Sequence, residues 1–181
     1  LGFGMSAQEV LLGFMARSAD PSSGGRQMPQ HYGHVGHNIP TSSSSTGTQY
    51  LQALGCAFAS QRRNDGPSAG NEVTIVCSGE GTTSQGDFHE ALNWASRAQA
   101  PIIFFVENNG YAISVPIREQ TAGGTVASLA QGYQGLDVAT VDGCDFLATY
   151  GVVQQAAERA RSGRGPSLIE ANVVRLLPHS S

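Results

Sequence analysis

Hydrophobic positions along this chain follow two different periods, which predict strands and helices in alternation. Residues 73–77 and 102–106 are near-continuous apolar runs, the pattern of strands that are covered on both faces. Between these runs, apolar residues recur at helical spacing and form one stripe, made by Phe88, Ala91, Leu92 and Ala95. The pattern therefore predicts a strand, a helix and a second strand in this part of the chain.

The same alternation continues towards the end of the chain. Residues 138–141 and 167–174 predict a third and a fourth strand, and residues 146–162 predict a helix that Gly163 closes. Strands that alternate with helices in this way are typical of a doubly wound parallel sheet. We therefore expect an α/β fold with helices on both faces of the sheet.

Two helical patterns precede the first strand, with an aperiodic segment between them. The first has apolar residues at helical spacing, namely Val10, Leu11, Phe14 and Met15. The second runs from residue 46 or 47 to about residue 60, with Leu51, Leu54 and Phe58 on one face. Residues 26–45 show neither period and predict a long ordered loop. Loops of this length in compact domains are usually functional or disordered.

Composition adds an expectation about partners. The length of 181 residues suits one domain over residues 1–181, but only 13% of them are charged, against roughly 25% in soluble domains. Burial against partner subunits is the preferred interpretation, and a monomeric domain rich in small residues is the alternative. The net charge of −4 gives no electrostatic case for binding nucleic acid or an anionic membrane. Because the chain begins at Leu1, we expect a piece of a longer protein, truncated at both ends.

Two groups of potential metal or redox residues carry weak signals. The three cysteines are widely separated and form no Cys-x-x-Cys pair, so we expect buried thiols in a reducing compartment; they are Cys56, Cys77 and Cys144. Histidines recur every third residue in the long loop, at His31, His34 and His37. Without a neighbouring cysteine or carboxylate, we do not expect them to bind zinc.

Polar residues follow the first two strands at the positions where each strand ends. Glu80 stands between two glycines after the first strand, and Asn108, Asn109 and Gly110 follow the second. The carboxyl ends of parallel strands lie at one edge of a sheet, where α/β folds bind their ligands. Carboxylate, amide and carbonyl oxygens suit Mg²⁺, which phosphate oxygens then complete, and a helix beginning after residue 84 would direct N–H groups at an anion. These features predict a magnesium–diphosphate site. The competing interpretation makes Glu80 a turn carboxylate that caps the next helix.

Several segments of the chain resemble a known family. The spacing of Gly-Glu-Gly and Asn-Asn is similar to the Gly-Asp-Gly…Asn-Asn signature of thiamine-diphosphate enzymes, with Glu80 in place of the usual Asp. Over nearly all of its length the chain resembles α subunits of branched-chain 2-oxo acid dehydrogenases, the decarboxylating E1 component, in the segments GRQMPQHYG, TSSSSTGTQ, GEGTTSQGDFHEALNWA, ENNGYAISVP and RLLPHSS. The GRQMP string favours the branched-chain enzyme over its pyruvate and acetoin relatives.

The resemblance implies roles for individual residues in a thiamine-diphosphate-binding fold. The Glu80 carboxylate, the Asn109 side-chain oxygen and the Tyr111 main-chain carbonyl would hold Mg²⁺. The cofactor would be contacted by Ser44, Gly79, Gly81, Thr82 and His179. A monovalent cation such as K⁺ would be bound through Ser43, Ser45, Thr48 and Gln49. Some relatives have an Arg at position 107; here the residue is Glu107, which we expect to pair with a nearby base because phosphate would repel it.

The resemblance also implies an activity and its partners. Such subunits oxidatively decarboxylate a small branched-chain 2-oxo acid and pass the acyl group to a lipoyl arm of the acyltransferase component, E2. They act in an α₂β₂ heterotetramer whose β subunit supplies the glutamate that activates the cofactor. His179 would assist acyl transfer, or alternatively is a loop histidine; Ser180 matches a position that is phosphorylated in animal relatives. A pyruvate or acetoin dehydrogenase α subunit, or a non-catalytic Mg-diphosphate module, is the alternative. The expected compartment is the cytoplasm in a bacterium and the mitochondrial matrix in a eukaryote.

Overall fold

The computed structural model describes residues 1–63 and 70–179, so Ser180 lies outside the described residues. Contacts within the chain separate two compact units, Leu1–Thr46 and Gly47–Ser181, which are described in turn. The single domain expected over residues 1–181 stays a prediction.

In the first unit, helix α1 (Ala7–Phe14) confirms the first helical pattern. A capping box fixes its start, because the Glu9 N–H donates to Ser6 Oγ at 3.2 Å and the Ser6 N–H donates to Glu9 Oε2 at 2.7 Å. The long loop that follows contains one 3₁₀ turn, Val35–His37. There the rings of His34 and His37 stack with centroids 4.2 Å apart.

A buried carboxylate organises the turn that leads into the long loop. Asp20 accepts hydrogen bonds from the N–H groups of Ser22, Ser23 and Gly25 at 3.0, 3.1 and 3.2 Å. Gly25 has a φ of +76°, and a Cβ there would lie 2.5 Å from the Ala16 carbonyl group. Only glycine fits this backbone without strain, and the GRQMP string begins at this position.

The second unit contains a four-stranded parallel sheet and a short hairpin. The sheet strands are β1 (Thr74–Gly79), β2 (Ile102–Asn108), β5 (Asp137–Asp142) and β6 (Ser167–Asn172), in the order β1-β2-β6-β5. The hairpin pairs β3 (Tyr111–Ala112) with β4 (Val115–Pro116). The helices are α2 (Thr48–Arg62), α3 (Gly86–Ala98), α4 (Ile117–Gln120), α5 (Val126–Ala130) and α6 (Phe146–Arg161).

Helices cover both faces of this sheet, as the sequence predicts. On one face α2, α3 and α5 bury the larger core, which includes Tyr50, Phe88, Leu92, Phe104 and Leu168. On the other face α6 packs against Ile103 and Ile169. Alternate residues of β2 and β6 thus point to opposite cores, which confirms the predicted α/β fold with a doubly wound parallel sheet.

Three details differ from the expectation. Strand β1 is covered on one face only, because α6 packs on β2, β5 and β6; Ile75 and Cys77 on its other face are exposed. The expected burial of the thiols is therefore wrong for Cys77, as it is for the exposed Cys144, while Cys56 is half-buried. The fourth strand ends at Asn172 rather than at residue 174; the Val173 N–H still donates to the Asn108 carbonyl at 2.9 Å, which is the last bond between this segment and β2.

Within the described ranges, no helix is long and apolar enough to cross a membrane.

Candidate active site

The carboxyl ends of β1 and β2 lie side by side, which brings the two polar strand ends together. The strands pair in parallel up to Gly79 opposite Glu107. After β1 the chain forms a 3₁₀ helix, Glu80–Ser84, closed by Thr83 Oγ1, which donates to the Glu80 carbonyl at 2.7 Å. Helix α3 begins at Gly86, one residue later than expected, and the 3₁₀ helix carries Glu80 and Gly81.

Glu80 has a buried carboxylate that its surroundings only half satisfy. The residue is 1% exposed, and its Oε2 accepts the Asn109 N–H at 3.2 Å. Its Oε1 is buried and has no hydrogen-bond partner among the described residues. Gln120 Nε2 donates to the Glu80 carbonyl at 3.1 Å and holds the backbone. A buried carboxylate with an unpartnered oxygen is stabilised by a cation, so this oxygen fits the predicted metal.

Asn109 and Tyr111 occupy the turn between β2 and the hairpin, where Gly110 has a φ of +84°. Asn109 Oδ1 accepts the Tyr111 N–H at 3.1 Å, which leaves this amide oxygen one further lone pair. Arg175 braces the hairpin, since its Nη1 donates to the Ile113 carbonyl at 2.7 Å and its guanidinium lies 5.3 Å from the Tyr111 ring centroid. Because Asn109 and Tyr111 are predicted to hold Mg²⁺, we name residues 109–111 the metal loop.

Gly81 marks a close approach between the 3₁₀ helix and the hairpin. A Cβ at this position would lie 2.8 Å from Ala112 Cβ and 3.2 Å from Ala112 Cα, so the backbone reaches the hairpin only because the residue is glycine. Gly79 is less confined, because its Cβ would meet nothing nearer than the Glu107 carbonyl at 3.9 Å. Thr82 is half-buried on the same 3₁₀ helix. The roles of Gly79, Gly81 and Thr82 towards a diphosphate stay predictions.

The residues predicted to bind K⁺ and the cofactor-contacting Ser44 belong to both units. In the first, the Ser45 N–H donates to Ser43 Oγ at 3.3 Å and Ser44 Oγ lies 3.7 Å from the Met28 sulfur. In the second, the Gly47 N–H donates to Gln49 Oε1 at 3.0 Å, and Thr48 begins α2. Their ligand roles stay predictions.

Glu107 lacks the expected ion-pair partner among the described residues. Glu107 is exposed on β2, and the described residues provide no ion-pair partner for it, so the expected pair with a base is wrong for this part of the chain. Its register neighbours are Gly79 and Ala171, neither of which carries a charge. Crowding by surrounding protein atoms raises the pKa of the Cys77 thiol, and the Glu107 carboxylate adds to that rise.

His179 is exposed in the tail after β6, and its predicted role is untested.

Two polar residues that support this edge of the sheet, Glu170 and Gln120, were not predicted from the sequence. Asn108 and Glu170 are buried and hydrogen-bonded to each other, and Gln120 holds the Glu80 backbone. Glu170 could have been noticed, because an acid within the apolar strand β6 is almost never buried unless it is paired. Gln120 carries no signal in the sequence.

The fold and the edge residues together define an α/β domain with a buried carboxylate, one oxygen of which has no partner among the described residues, at the carboxyl edge of a parallel sheet. The chain belongs to the dehydrogenase E1 component family, whose pattern matches residues 1–181.

Comparisons with individual proteins agree with that family. The chain is 46% identical over 181 residues to a 2-oxoisovalerate dehydrogenase subunit alpha of Bacillus subtilis, covering 100% of this chain and 53% of the relative. It is 44% identical over 157 residues to the human mitochondrial 2-oxoisovalerate dehydrogenase subunit alpha, covering 87% of this chain and 34% of the relative. The chain thus spans about half the length of the Bacillus relative and less of the human one.

A solved structure supports the fold. It is described as a thiamin diphosphate-dependent enzyme from Mycobacterium smegmatis and superposes with a TM-score of 0.57 over 76% of this chain and 24% of the other. At 22% sequence identity this likeness confirms the α/β fold.

Proposed function

We propose that this chain is the magnesium- and diphosphate-binding part of the α subunit of a thiamine-diphosphate-dependent 2-oxo acid dehydrogenase that acts on branched-chain 2-oxo acids. The observation that carries the proposal is the buried Glu80 carboxylate, whose Oε1 lacks a partner among the described residues beside Asn109. The names of the bacterial and human relatives support the substrate class.

In this proposal each residue of the site has one task. Glu80, Asn109 and the Tyr111 carbonyl hold Mg²⁺, and the ion joins the protein to the diphosphate. Gly81 lets the 3₁₀ helix approach the hairpin closely, so that Gly79, Gly81 and Thr82 face the diphosphate, and Ser44 contacts the cofactor. A K⁺ ion at Ser43, Ser45, Thr48 and Gln49 orders the loop. Thiamine diphosphate, when bound, supplies the electron sink that decarboxylation of a 2-oxo acid requires.

His179 is proposed as the proton-transfer residue of this chain. An imidazole titrates near neutral pH and can donate or accept a proton at its ring nitrogens. Its exposure in the tail after β6 suits a group that meets the reacting end of a substrate and the lipoyl arm. In this role it donates a proton to the lipoyl sulfur that leaves as a thiolate when the disulfide bond breaks, while the acyl group bonds to the other sulfur.

The proposal includes a β subunit in an α₂β₂ heterotetramer and a lipoyl-bearing E2 component. Large apolar side chains are exposed in the second unit, where a partner would bury them; they include Phe146, Leu147, Tyr150, Leu176 and Leu177. The compartment, cytoplasmic in a bacterium or the matrix in a eukaryote, follows the source of the chain.

Reconstitution of the full-length α subunit with its β subunit tests the proposal. With thiamine diphosphate and Mg²⁺, we expect decarboxylation with a clear preference in kcat/KM for 2-oxoisovalerate over pyruvate. A preference for pyruvate would instead favour the pyruvate dehydrogenase alternative. Cofactor binding without turnover of either acid would leave only the non-catalytic diphosphate-binding module.

A further inference from the structure

A second buried carboxylate, that of Glu170, lies at the start of a hydrogen-bond chain that ends in the metal loop. Glu170 stands in the middle of β6, opposite Val106 of β2, and is 1% exposed. Leu168, two residues earlier on the same face of the strand, belongs to the larger core. A carboxylate in such surroundings is strongly destabilising unless N–H groups satisfy both of its oxygens.

Three donors satisfy it. Glu170 Oε1 accepts from Asn108 Nδ2 at 2.6 Å and from the Val126 N–H at 3.1 Å. Glu170 Oε2 accepts from the Ala127 N–H at 2.8 Å. Val126 and Ala127 begin α5, and Asn108 ends β2. One side chain therefore ties the end of β2 to the start of α5.

The contact with Glu170 also determines which way the Asn108 amide points. Asn108 Oδ1 accepts the Gly110 N–H at 2.8 Å, while its Nδ2 donates to the carboxylate. In the reversed orientation the amide NH₂ would face another N–H donor, and the amide oxygen would face a carboxylate oxygen. The negative charge of Glu170 thus selects the orientation in which Asn108 holds Gly110, the central residue of the metal loop.

We propose that Glu170 is a positioning residue for the metal loop and acts through Asn108 on Gly110. The inference rests on the proposed function, because it assigns a task relative to the Mg²⁺ of that site. The chain of bonds fixes the backbone on either side of Asn109, whose own N–H is held by Glu80 Oε2. Glu170 keeps the Asn109 oxygen and the Tyr111 carbonyl aligned, but touches no ligand itself.

The test measures the binding of Mn²⁺, used in place of Mg²⁺. The protein is the full-length α subunit assembled with its β subunit and saturated with thiamine diphosphate. Affinity and stoichiometry are read from the electron paramagnetic resonance signal of free Mn²⁺. Glu170→Gln keeps the size of the side chain but removes the charge that orients the Asn108 amide, and its NH₂ group faces either the Ala127 N–H or both Asn108 Nδ2 and the Val126 N–H. We expect Mn²⁺ affinity to fall about 10–100-fold at unchanged stoichiometry, the range typical of outer-shell partners of metal sites. The matched control is Glu158→Gln, an exposed acid on α6, which should bind like wild type.

A rescue variant separates positioning from a general loss of structure. In the double variant Asn108→Asp, Glu170→Gln, the new amide donates to the new carboxylate, which can still accept the Gly110 N–H. This arrangement rebuilds the bonds from residue 170 to Gly110 but loses the bond from the Val126 N–H, so we expect a substantial part, not all, of the Mn²⁺ affinity to return. A merely structural role would give fewer Mn²⁺ sites at unchanged affinity, with no recovery in the double variant, and would overturn the inference.

Glu80→Gln, measured in the same series, distinguishes failure of the inference from failure of the proposed function. If wild type binds no Mn²⁺ with the cofactor, or Glu80→Gln binds like wild type, the proposed site is wrong and the inference falls with it. If Glu80→Gln loses Mn²⁺ while Glu170→Gln stays within about twofold of wild type, well short of an outer-shell effect, only the inference is overturned. Should Glu170→Gln fail to assemble, Asn108→Ala decides, since it keeps both bonds to α5; unchanged affinity in that variant overturns the inference.

Discussion

Glu80 and Glu170 are equally buried, each 1% exposed, yet their surroundings differ in one respect. The carboxylate of Glu170 receives three N–H donors, at 2.6, 2.8 and 3.1 Å. That of Glu80 receives one at 3.2 Å, and its Oε1 has no partner among the described residues. Buried polar atoms in native proteins are almost always satisfied. Burial alone therefore does not distinguish the two acids; the unpartnered oxygen does, and it supports the proposal that Glu80, rather than Glu170, binds the metal.

The substitution with the largest expected effect is Glu80→Gln in the assembled complex, which tests whether Glu80, unlike Glu170, binds the metal. The substitution removes the anionic oxygen while keeping the size of the side chain, so the affinity for Mg²⁺ with thiamine diphosphate should fall by more than the roughly 100-fold that outer-shell partners contribute. Titration calorimetry measures the effect, with the exposed Glu119 changed to Gln as the matched control. An affinity like that of wild type would make Glu80 a turn carboxylate.

His179→Ala tests the roles of the carboxylates by contrast, because it removes a proposed proton donor and leaves both carboxylates unchanged. Mg²⁺ affinity should stay largely intact, although cofactor affinity can weaken modestly. Turnover with the lipoyl acceptor should fall on the order of 10²-fold or more. Both quantities are measured on one preparation, by calorimetry and by acyl transfer. Turnover near that of wild type would remove His179 from the catalytic residues.

Without metal, substitutions of the two carboxylates should have different effects on the free energy of unfolding. Glu170→Gln replaces an acceptor of charge-assisted hydrogen bonds and should lower the free energy of unfolding by about 1.5–3 kcal/mol. Glu80→Gln removes a buried charge of which one oxygen lacks a partner among the described residues, and it should leave the stability unchanged or raise it. Urea unfolding of the two variants without metal gives both values. Equal losses would mean that the two sites do not differ as the hydrogen bonds indicate.

Gly81→Ala tests the close packing of the 3₁₀ helix that carries Glu80 against the hairpin. The added methyl group would lie 2.8 Å from Ala112 Cβ, so the hairpin must shift, at about 1–3 kcal/mol of overpacking. Gly79→Ala is the matched control, because its Cβ would have a nearest neighbour at 3.9 Å. Thermal unfolding should show a lower midpoint for Gly81→Ala than for the control. Equal midpoints would mean that the close approach to Ala112 is not constrained.

Most of the fold could be predicted from the sequence, because the apolar runs of β2 and β6 and the helical stripe of α3 are strong local signals. The open face of β1 could not. Its residues 73–77 look as apolar as those of β2, and whether α6 reaches over them depends on the strand order, in which β1 is an edge strand. The exposure of Cys77 follows from that order and not from any pattern in the sequence.

Of the candidate site, the residues that follow strand ends were predictable and their supports were not. Glu80 and Asn109 were predicted to meet because parallel strands bring their carboxyl ends to one edge. Glu170 comes to Asn108 across 62 positions of the chain, and Gln120 comes to Glu80 across 40. Such contacts arise from tertiary packing, and neither residue has a spacing that points to its partner. The roles of Ser43, Ser45, Thr48 and Gln49 remain predictions.

Tyr50 provides the prediction with the smallest expected effect, because its buried phenol is a neutral acid, unlike the two carboxylates. Its hydroxyl donates to Ser78 Oγ at 2.5 Å, and its ring is fully buried. Burial raises the pKa of Tyr50 from 10.0 to about 12, while the bond to Ser78 opposes that rise. The unfolded chain therefore loses this proton first as the pH rises, so the stability contribution is complete below pH 10 and is lost between pH 10 and 12. At pH 11 the loss amounts to about 1.4 kcal/mol.

Urea unfolding at pH 9 and pH 11 measures this loss, and ultraviolet absorbance of the phenolate follows the ionisation. Tyr50→Phe should remove the part of the loss that Tyr50 contributes, and one high-pH phenolate transition. Tyr133→Phe is the control, because burial also raises the pKa of the Tyr133 phenol, so that variant should keep the contribution of Tyr50. If Tyr50→Phe loses as much stability as wild type between the two pH values, the Tyr50 phenol is not protected from ionisation. The packing of α2 against the end of β1, two residues before Glu80, would then be looser than the bond between Tyr50 and Ser78 indicates.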